Sequence, residues 1–137
     1  RSRVSKAVEN DQSWIDEADQ ILKQLHIDDY QHEIAAELSH GKRRELEVAC
    51  AMALQPKVLL LDEPMAGLDP ASTEGLVKFL LKLKQDIPIL LIEHDMDSVF
   101  KLSDRISVLV YGKIIFSGSP TEIQNSNAVK QAYLGEG

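Results

Sequence analysis

The 137-residue sequence contains one cysteine, few aromatic residues and no strongly basic stretch. A single cysteine gives no disulfide framework and is typical of a reducing compartment. Net charge is −7, and nucleic acid is a poor candidate partner because phosphate contacts need clustered Lys and Arg. No apolar run approaches the ~20 residues that cross a bilayer, and no signal peptide is expected. The first residue is Arg1, not Met, so we expect a piece of a longer protein.

The spacing of apolar residues predicts helices alternating with short strands. The apolar content, 44%, is enough for a buried core in one domain-sized chain. Strands that alternate with helices are typical of an α/β sheet with crossovers. The predicted elements are a helix over residues 13–25, a helix from about Gly41, a buried strand from Val58 to Leu61, a helix from Asp69-Pro70 to about Lys84, a buried strand from Ile89 to Ile92, a helix from Met96 to Leu102, a hairpin in "RISVLVYGKIIFSG", and terminal turns in "SPTEI" and "NAVKQAYL".

Both predicted buried strands end in charged residues. The first runs into Asp62 and Glu63, in "KVLLLDEPMAGLDP", and the second runs into "EHD", which contains His94. Because ligands bind beyond the carboxyl ends of such strands, the two ends predict one shared site. Its residues suit hydrolysis with a divalent metal, one carboxylate near the ion and one aligning water. The alternative is that Asp62 and Glu63 merely begin a turn before Pro64.

The segment "LSHGKRREL" places Ser39 and Gly41 before a basic first turn of a helix. Cations at a helix N-terminus oppose the helix dipole. An anion bound at those amides would make the position of the cations favourable, and glycine lets such an anion approach the backbone closely. The alternative is that the arginines point into water and pair with Glu45 and Glu47.

Five other residues are expected to have structural roles only. Cys50 lies on the apolar face of the second predicted helix and is expected to be a small core residue. Trp14 and Tyr30 are expected to pack against their neighbours. His26 and His32 are expected on the surface, because no metal-ligand pattern includes them.

In this order, the segments resemble the ATP-binding cassette (ABC) ATPases. "LSHGK" is similar to the family's LSGGQ signature, "VLLLDEP" to its Walker B strand, "AGLD" to its D-loop, and His94 to its switch histidine. The tail "GSPTEIQNSNAVKQAYLGEG" resembles the closing segment of ATPases from branched-chain amino acid uptake systems. The sequence is therefore identified as the C-terminal portion of an ABC transporter ATP-binding protein, similar above all to that group.

The resemblance implies a fold and a division of the chain. The fold would be an α/β P-loop NTPase (RecA-like) cassette without its P-loop strand. Residues 1–54 would form the end of the helical subdomain with the signature, residues 55–117 the Walker B, D-loop and H-loop part of the RecA-like core, and residues 118–137 a C-terminal helical tail.

The resemblance also implies ATP and Mg²⁺ as cofactors and gives the site residues their roles. Glu63 would orient the attacking water as general base, Asp62 would support Mg²⁺ through a water, and His94 would contact the γ-phosphate. Asp69, in the D-loop, would report across a dimer interface. Its position also suits a helix N-cap, and both roles are compatible.

The signature would bind the γ-phosphate of the opposite subunit's ATP through Ser39, Gly41 and the amides that follow. His40 replaces the family's second glycine and needs a permitted backbone conformation. Lys42 replaces the family's glutamine. We expect the Lys42 side chain to be solvated, the alternative being a cation near the phosphate.

A P-loop, G-x-x-x-x-G-K-[ST], is missing from the sequence. The two Gly-Lys pairs begin at Gly41 and Gly112, but the positions five residues earlier hold Ala36 and Ser107, and neither Lys precedes Ser or Thr. We therefore predict that the chain alone is catalytically inactive and that the N-terminal half of the cassette is its partner. A missing central strand would leave exposed sheet edges.

The function implied by the resemblance is to couple ATP hydrolysis to solute transport, and branched-chain amino acid uptake in particular. The ATPase would act as a head-to-tail dimer on membrane permease subunits, peripheral at the cytoplasmic face of the inner membrane. One alternative is an ABC ATPase of DNA repair or translation, which the acidic balance and the tail disfavour. Another is a non-catalytic interaction module, which the presence of Glu63 and His94 disfavours.

Overall fold

The computed structural model describes residues 12–127 and Val129. This part of the chain divides into two compact units, the first ending at Ile92 and the second beginning at Glu93. The predicted divisions after residues 54 and 117 stay predictions, and most of "NAVKQAYL" lies outside the described residues. The elements are α1 (Gln12–Gln24), α2 (His40–Met52), β1 (Leu59–Asp62), α3 (Pro70–Leu83), β2 (Ile89–Ile92), α4 (Met96–Leu102), β3 (Ile106–Val110), β4 (Lys113–Gly118) and α5 (Pro120–Asn125), with 3-10 turns at Asp28–Tyr30 and Ala35–Glu37.

These elements follow the predicted order, and β2 and α4 have the predicted bounds. β1 begins and ends one residue later than predicted, so Asp62 is its last residue. β1 and β2 pair in parallel, with Leu59 opposite Ile89. No helix in the described residues has both the length and the apolar character that a membrane span needs.

The core of the first unit is organised around α3. Its apolar face repeats every three to four residues, and Leu76 and Leu80 are fully buried. α2 packs against α3 and buries Gly41 and neighbouring small or apolar residues. At the end of α1, the Ile27 amide donates to the Leu22 carbonyl at 3.0 Å, which closes that helix.

The prediction that both strands are buried on both faces was wrong. Leu59 is 5% exposed, whereas its neighbour Leu60 is 67% exposed. Leu60 and Leu90 lie opposite each other in the sheet, and both are exposed, as is Ile92. Alternate residues of a strand point to opposite faces, so one face of this two-stranded sheet is apolar and uncovered within the described residues. We call this the open face: Val58, Leu60, Leu90 and Ile92.

Two residues expected to pack are exposed. Cys50 is exposed because α2 turns the side that contains Val48 and Ala49 inward. Trp14 is exposed because α1 contains no buried residue at all. His26 lies on the surface, as predicted. The remaining surface prediction, for His32, is also confirmed.

The second unit has its own core, formed by β3, α4 and the residues around α5. Val108 and Ile123 are its most buried members, and Phe116 packs against it. The predicted hairpin is confirmed: β3 and β4 pair antiparallel around a turn in which Tyr111 and Gly112 have φ of 47° and 76°. Two left-handed residues in succession suit the twist of a hairpin, and glycine adopts that conformation without strain.

Candidate functional site

The predicted metal-supporting Asp62 and catalytic Glu63 lie at the carboxyl end of β1, and both are exposed. The Glu63 amide donates to the Ile92 carbonyl at 2.8 Å, which extends the pairing of β1 and β2 by one residue. Glu63 has a φ of 45°, a left-handed conformation that is strained for a residue with a side chain. The chain then turns into the buried Pro64. The backbone at Glu63 therefore both ends the strand and begins a turn.

The surroundings of Asp62 limit how it could hold a metal. No group of three or more His, Cys, Asp or Glu side chains in residues 12–127 and 129 could hold an ion by itself. Mg²⁺ is usually bound by one or two carboxylates together with waters and substrate phosphates. Asp62 fits that mode, because it offers one exposed oxygen-donor side chain and needs no protein cage.

Ser39 is the N-cap of α2. Its hydroxyl accepts from the Lys42 amide at 3.4 Å, longer than an ordinary hydrogen bond, while its carbonyl accepts from the Arg43 amide at 2.9 Å. His40 is the first residue of α2 and is exposed. A helical backbone is permitted for any side chain, so the substitution of histidine for glycine is compatible with this helix start.

Gly41 brings the signature segment against the first turn of α3. A Cβ atom on Gly41 would lie 2.9 Å from the Cβ of Ser72, too close for two real side chains. Ser72 in turn donates from its hydroxyl to Asp69 Oδ2 at 2.7 Å. Asp69 Oδ1 accepts from the Ala71 and Ser72 amides, both at 3.0 Å, so Asp69 is the N-cap of α3. The bond from the Ser72 amide is the main cause that lowers the pKa of Asp69.

Ser72 was not identified from the sequence. It links two predicted site segments, since it contacts Gly41 and binds Asp69. The signal that could have found it is its place three residues after an Asp-Pro helix start, where a small hydroxyl side chain can return to the N-cap.

Lys42 is partly solvated, as expected, and it also has two partners that the sequence did not indicate. Its side chain is 43% exposed, with the ammonium 3.4 Å from Glu33 Oε1 and 4.5 Å from the centre of the Tyr30 ring. An ammonium over an aromatic face is attracted by the ring quadrupole. Tyr30 packs as predicted, but it also donates from its hydroxyl to Glu45 Oε2 at 2.5 Å. Partial burial, followed by the Glu45 carboxylate, raises the pKa of Tyr30 well above its usual range.

The two arginines of the α2 first turn behave differently. Arg44 pairs with Glu47 at 2.8 Å and its side chain is 41% exposed, as the solvated alternative predicted. Arg43 instead turns back: its Nη2 donates to the carbonyl oxygens of Ala36 at 3.1 Å and Leu38 at 3.3 Å. Glu45, expected to pair with an arginine, accepts from Tyr30 instead.

His94 belongs to the second unit, and its side chain is exposed. It follows Glu93, whose side chain is only 1% exposed. One Glu93 carboxylate oxygen accepts from the amides of His94 and Asp95 at 3.0 and 3.3 Å. Glu93 therefore fixes the backbone that carries His94, a role that the sequence pattern "EHD" did not reveal.

Two protein families match parts of this chain. The ABC transporter family matches residues 2–66, and the branched-chain amino acid ATP-binding cassette transporter family matches residues 113–137. The high-affinity branched-chain amino acid transport ATP-binding protein LivG of Salmonella typhimurium is 41% identical over 99% of this chain and 51% of its own length. BraF of Pseudomonas aeruginosa, of the same description, is 38% identical over 84% of this chain and 46% of its own length.

A less identical relative belongs to a different transport system. The lipopolysaccharide export system ATP-binding protein LptB of Haemophilus influenzae is 34% identical over 88% of this chain and 51% of its own length. The chain thus spans about half the length of the curated relatives it matches.

Solved structures confirm the predicted fold class. MJ1267, an ATP-binding cassette of an ABC transporter, superposes with a TM-score of 0.80 and 29% identity over 96% of this chain and 54% of its own. A nucleotide-free ATP-binding cassette from an ABC transporter superposes with a TM-score of 0.80 and 27% identity. The match covers 99% of this chain and 58% of the length of that cassette. The chain belongs to the ABC transporter ATP-binding proteins, and its sequence is similar to those described as branched-chain amino acid transport proteins.

Proposed function

We propose that this chain supplies the signature and Walker B side of an ATP-hydrolysing cassette that drives amino acid uptake. The observation that carries the proposal is the pair Asp62 and Glu63, two exposed carboxylates at the carboxyl end of a strand in a chain of this family. Ligands of open α/β sheets bind at that edge. The pair has the right chemistry for phosphoryl transfer, which depends on positioning and on charge stabilisation.

In this proposal Glu63 orients the water that attacks the γ-phosphate, and its exposed carboxylate is accessible to that water. Asp62 would hold Mg²⁺, and the ion, when bound, would neutralise charge that develops on the phosphates. His94 donates to the γ-phosphate, and Glu93 holds the backbone from which it projects. Asp69 connects the two ATP sites of a dimer while it caps α3.

The signature residues act on ATP that the opposite subunit binds. The first turn of α2 contains no acidic residue, so none of its own carboxylates neutralises the positive end of the helix dipole. Lys42 and Arg43 direct their charges toward the preceding segment, to Glu33 and to main-chain carbonyls. Ser39, His40 and Gly41 then offer a hydroxyl and backbone amides to a phosphate.

The chain is proposed to act as one part of a cassette and to be inactive alone. Three observations support this. The sequence has no P-loop; the chain spans about half the length of its relatives; and the open face presents several large apolar side chains to water. An apolar patch of this kind marks an interaction surface, and the P-loop half of a cassette is the proposed occupant.

The assembled cassette is proposed to work as a head-to-tail dimer on membrane permease subunits, peripheral at the cytoplasmic face of the inner membrane. Branched-chain amino acids are the proposed solutes, because the relatives LivG and BraF are described as branched-chain amino acid transport proteins. LptB, described as part of lipopolysaccharide export, is less identical.

The test of catalysis compares the chain alone with the chain assembled on a P-loop half. The N-terminal part of Salmonella LivG, which contributes the half of the cassette that this chain does not match, is co-expressed with it. We expect no Mg-ATP binding by the chain alone up to millimolar nucleotide, and steady hydrolysis by the assembly. Glu63→Gln should abolish turnover, because glutamine cannot take the proton of the attacking water.

Glu74→Gln is the matched control, since Glu74 is an exposed carboxylate on α3 that pairs with Lys78. It should leave turnover unchanged. Saturable ATP binding and Glu63-dependent turnover by the chain alone would contradict the need for a P-loop half. Equal loss of turnover in both variants would contradict the role of Glu63.

The test of transport uses the assembly with LivG's permease subunits in proteoliposomes. Leucine uptake driven by ATP, and lost in Glu63→Gln, is expected. ATP hydrolysis that never couples to amino acid uptake would contradict the proposed solute class while leaving the catalytic proposal intact.

A further inference from the structure

Among the described residues, Arg43 is the one cation in the first turn of α2 whose side chain donates hydrogen bonds to the main chain. Its Nη2 donates to two carbonyl oxygens, those of Ala36 and Leu38. Its neighbour Arg44 pairs with a carboxylate at the surface instead. The two arginines are adjacent on one helix, so their different partners result from the tertiary contacts of each side chain and not from the local sequence.

The Leu38 carbonyl belongs to the peptide group that leads directly into Ser39. Leu38 is buried, and both residues have an extended backbone, with ψ of 145° and 159°. A donor on that carbonyl therefore fixes the rotation of the peptide plane that precedes the serine. The second bond, to Ala36, holds the 3-10 turn from which the segment emerges.

The guanidinium is held by Nη2 alone in the described residues. Its Nε is buried and has no hydrogen-bond partner there. A buried polar atom without a partner lowers stability, so the two bonds from Nη2 to the backbone before Ser39 are the contacts that hold this side chain in place.

We infer that Arg43 is a positioning residue, which fixes the backbone of Leu38 and Ser39 and thereby sets where the Ser39 hydroxyl meets a phosphate. The inference rests on the proposed function for its consequence in catalysis, but its structural half concerns this chain alone. Arg43 is proposed to touch neither substrate nor ion and to act through Ser39. The weak cap at 3.4 Å leaves that hydroxyl easily turned toward a ligand.

The first experiment measures amide hydrogen exchange in the full chain for Arg43→Met, Arg43→Lys and Arg44→Met. Methionine keeps an unbranched stem and removes every donor. In Arg43→Met, the amides of Lys42 and residue 43, which both donate to Ser39, should exchange about tenfold faster, as expected for losing a charged hydrogen bond. Arg43→Lys should recover part of the protection, and Arg44→Met should match the original chain.

The second experiment measures ATP hydrolysis by the same variants in the assembly with the P-loop half of LivG. In Arg43→Met, kcat should fall about tenfold while KM for ATP changes less than about twofold, because a misplaced signature loses contacts made mainly in the transition state. Arg43→Lys should recover part of kcat. Arg44→Met should leave both constants unchanged.

Two results would overturn the inference. One is exchange in Arg43→Met that is unchanged near Ser39, or that rises equally throughout α2 and α3, since the latter is general loss of stability. The other is equal loss of kcat in Arg43→Met and Arg44→Met. If the original assembly shows no turnover, the proposed function fails, and the exchange data still decide whether Arg43 holds Ser39.

Discussion

Leu59 and Leu60 are neighbours in β1 with opposite environments, so truncating each in turn tests the open face directly. Leu59 is 5% exposed and Leu60 is 67% exposed. Removing a buried leucine side chain destabilises a protein by about 2–5 kcal/mol, and we expect about 3 kcal/mol for Leu59→Ala. Leu60 keeps only about a third of its surface out of water. A proportional share of the ~2 kcal/mol for a fully buried leucine gives about 0.7 kcal/mol for Leu60→Ala.

The assay is urea denaturation of the chain followed by circular dichroism, with the free energy of unfolding taken from the midpoint and slope. Leu60→Ala and Leu59→Ala remove the same atoms from the same strand, so each is the control for the other. Equal losses of stability in the two variants would refute the open face, because Leu60 would then have to be covered within the chain itself.

Leu60→Ala also tests the proposed occupant of the open face. If a P-loop half covers Leu60, the assembly buries the remaining two thirds of that side chain. A fully buried leucine contributes about 2 kcal/mol, and two thirds of that is about 1.3 kcal/mol, so Leu60→Ala should weaken binding of the half-cassettes by up to about tenfold. Surface plasmon resonance or titration calorimetry would measure it. An unchanged affinity would mean that the partner binds elsewhere.

Substitutions at Gly41, Tyr30 and Glu63 test three further features of the structure. Gly41→Ala should lower the free energy of unfolding by about 1–3 kcal/mol, because the new methyl group meets Ser72 at 2.9 Å; Ser72→Gly in the same chain should recover part of the loss, and no recovery would contradict the contact. Tyr30→Phe should lower the free energy of unfolding by about 1 kcal/mol at neutral pH, because it removes the hydrogen bond to Glu45. Since folding raises the pKa of Tyr30, its contribution is full below about pH 10 and is lost above it; urea titrations from about pH 9 to about pH 11 should show a steeper loss in the original chain than in Tyr30→Phe, and equal slopes would contradict this. Glu63→Gly should be about 1 kcal/mol more stable than Glu63→Ala, because both lack the carboxylate and only alanine keeps the strain of a positive φ; equal melting temperatures would contradict that strain.

The order and bounds of the elements were largely predictable because local rules fix them. An Asp-Pro start predicts α3, and its cap is formed by that aspartate. Apolar runs bounded by turn residues predict β1 and β2. The exposure of Leu60 was not predictable in this way. A continuous apolar run shows only that both faces are suited to burial, whereas the presence of a covering layer depends on residues far away in sequence.

The site was predictable as a set of segments but not as a set of contacts. Motif order identified Ser39, Asp62, Glu63 and His94, because each motif lies within a few residues. The contact of Gly41 with Ser72 joins residues 31 positions apart, and nothing in the local sequence of either residue indicates it. Long-range pairing of this kind is decided by how α2 packs on α3, which periodicity alone does not determine.

Tertiary contacts at the basic first turn of α2 reduce the unfavourable interaction of its cations with the helix dipole that the sequence predicts. Three cations at a helix N-terminus are each unfavourable by up to ~1 kcal/mol when they lie along the axis in water. Here Lys42 lies over Tyr30 and beside Glu33, and Arg43 reaches carbonyl oxygens before the helix. Carboxylate and carbonyl oxygens offset the charge of those two cations, so the turn does not need a bound anion to be stable. In the proposed function, the positive field of the helix end therefore acts on a phosphate, and the two cations hold the segment that precedes the helix.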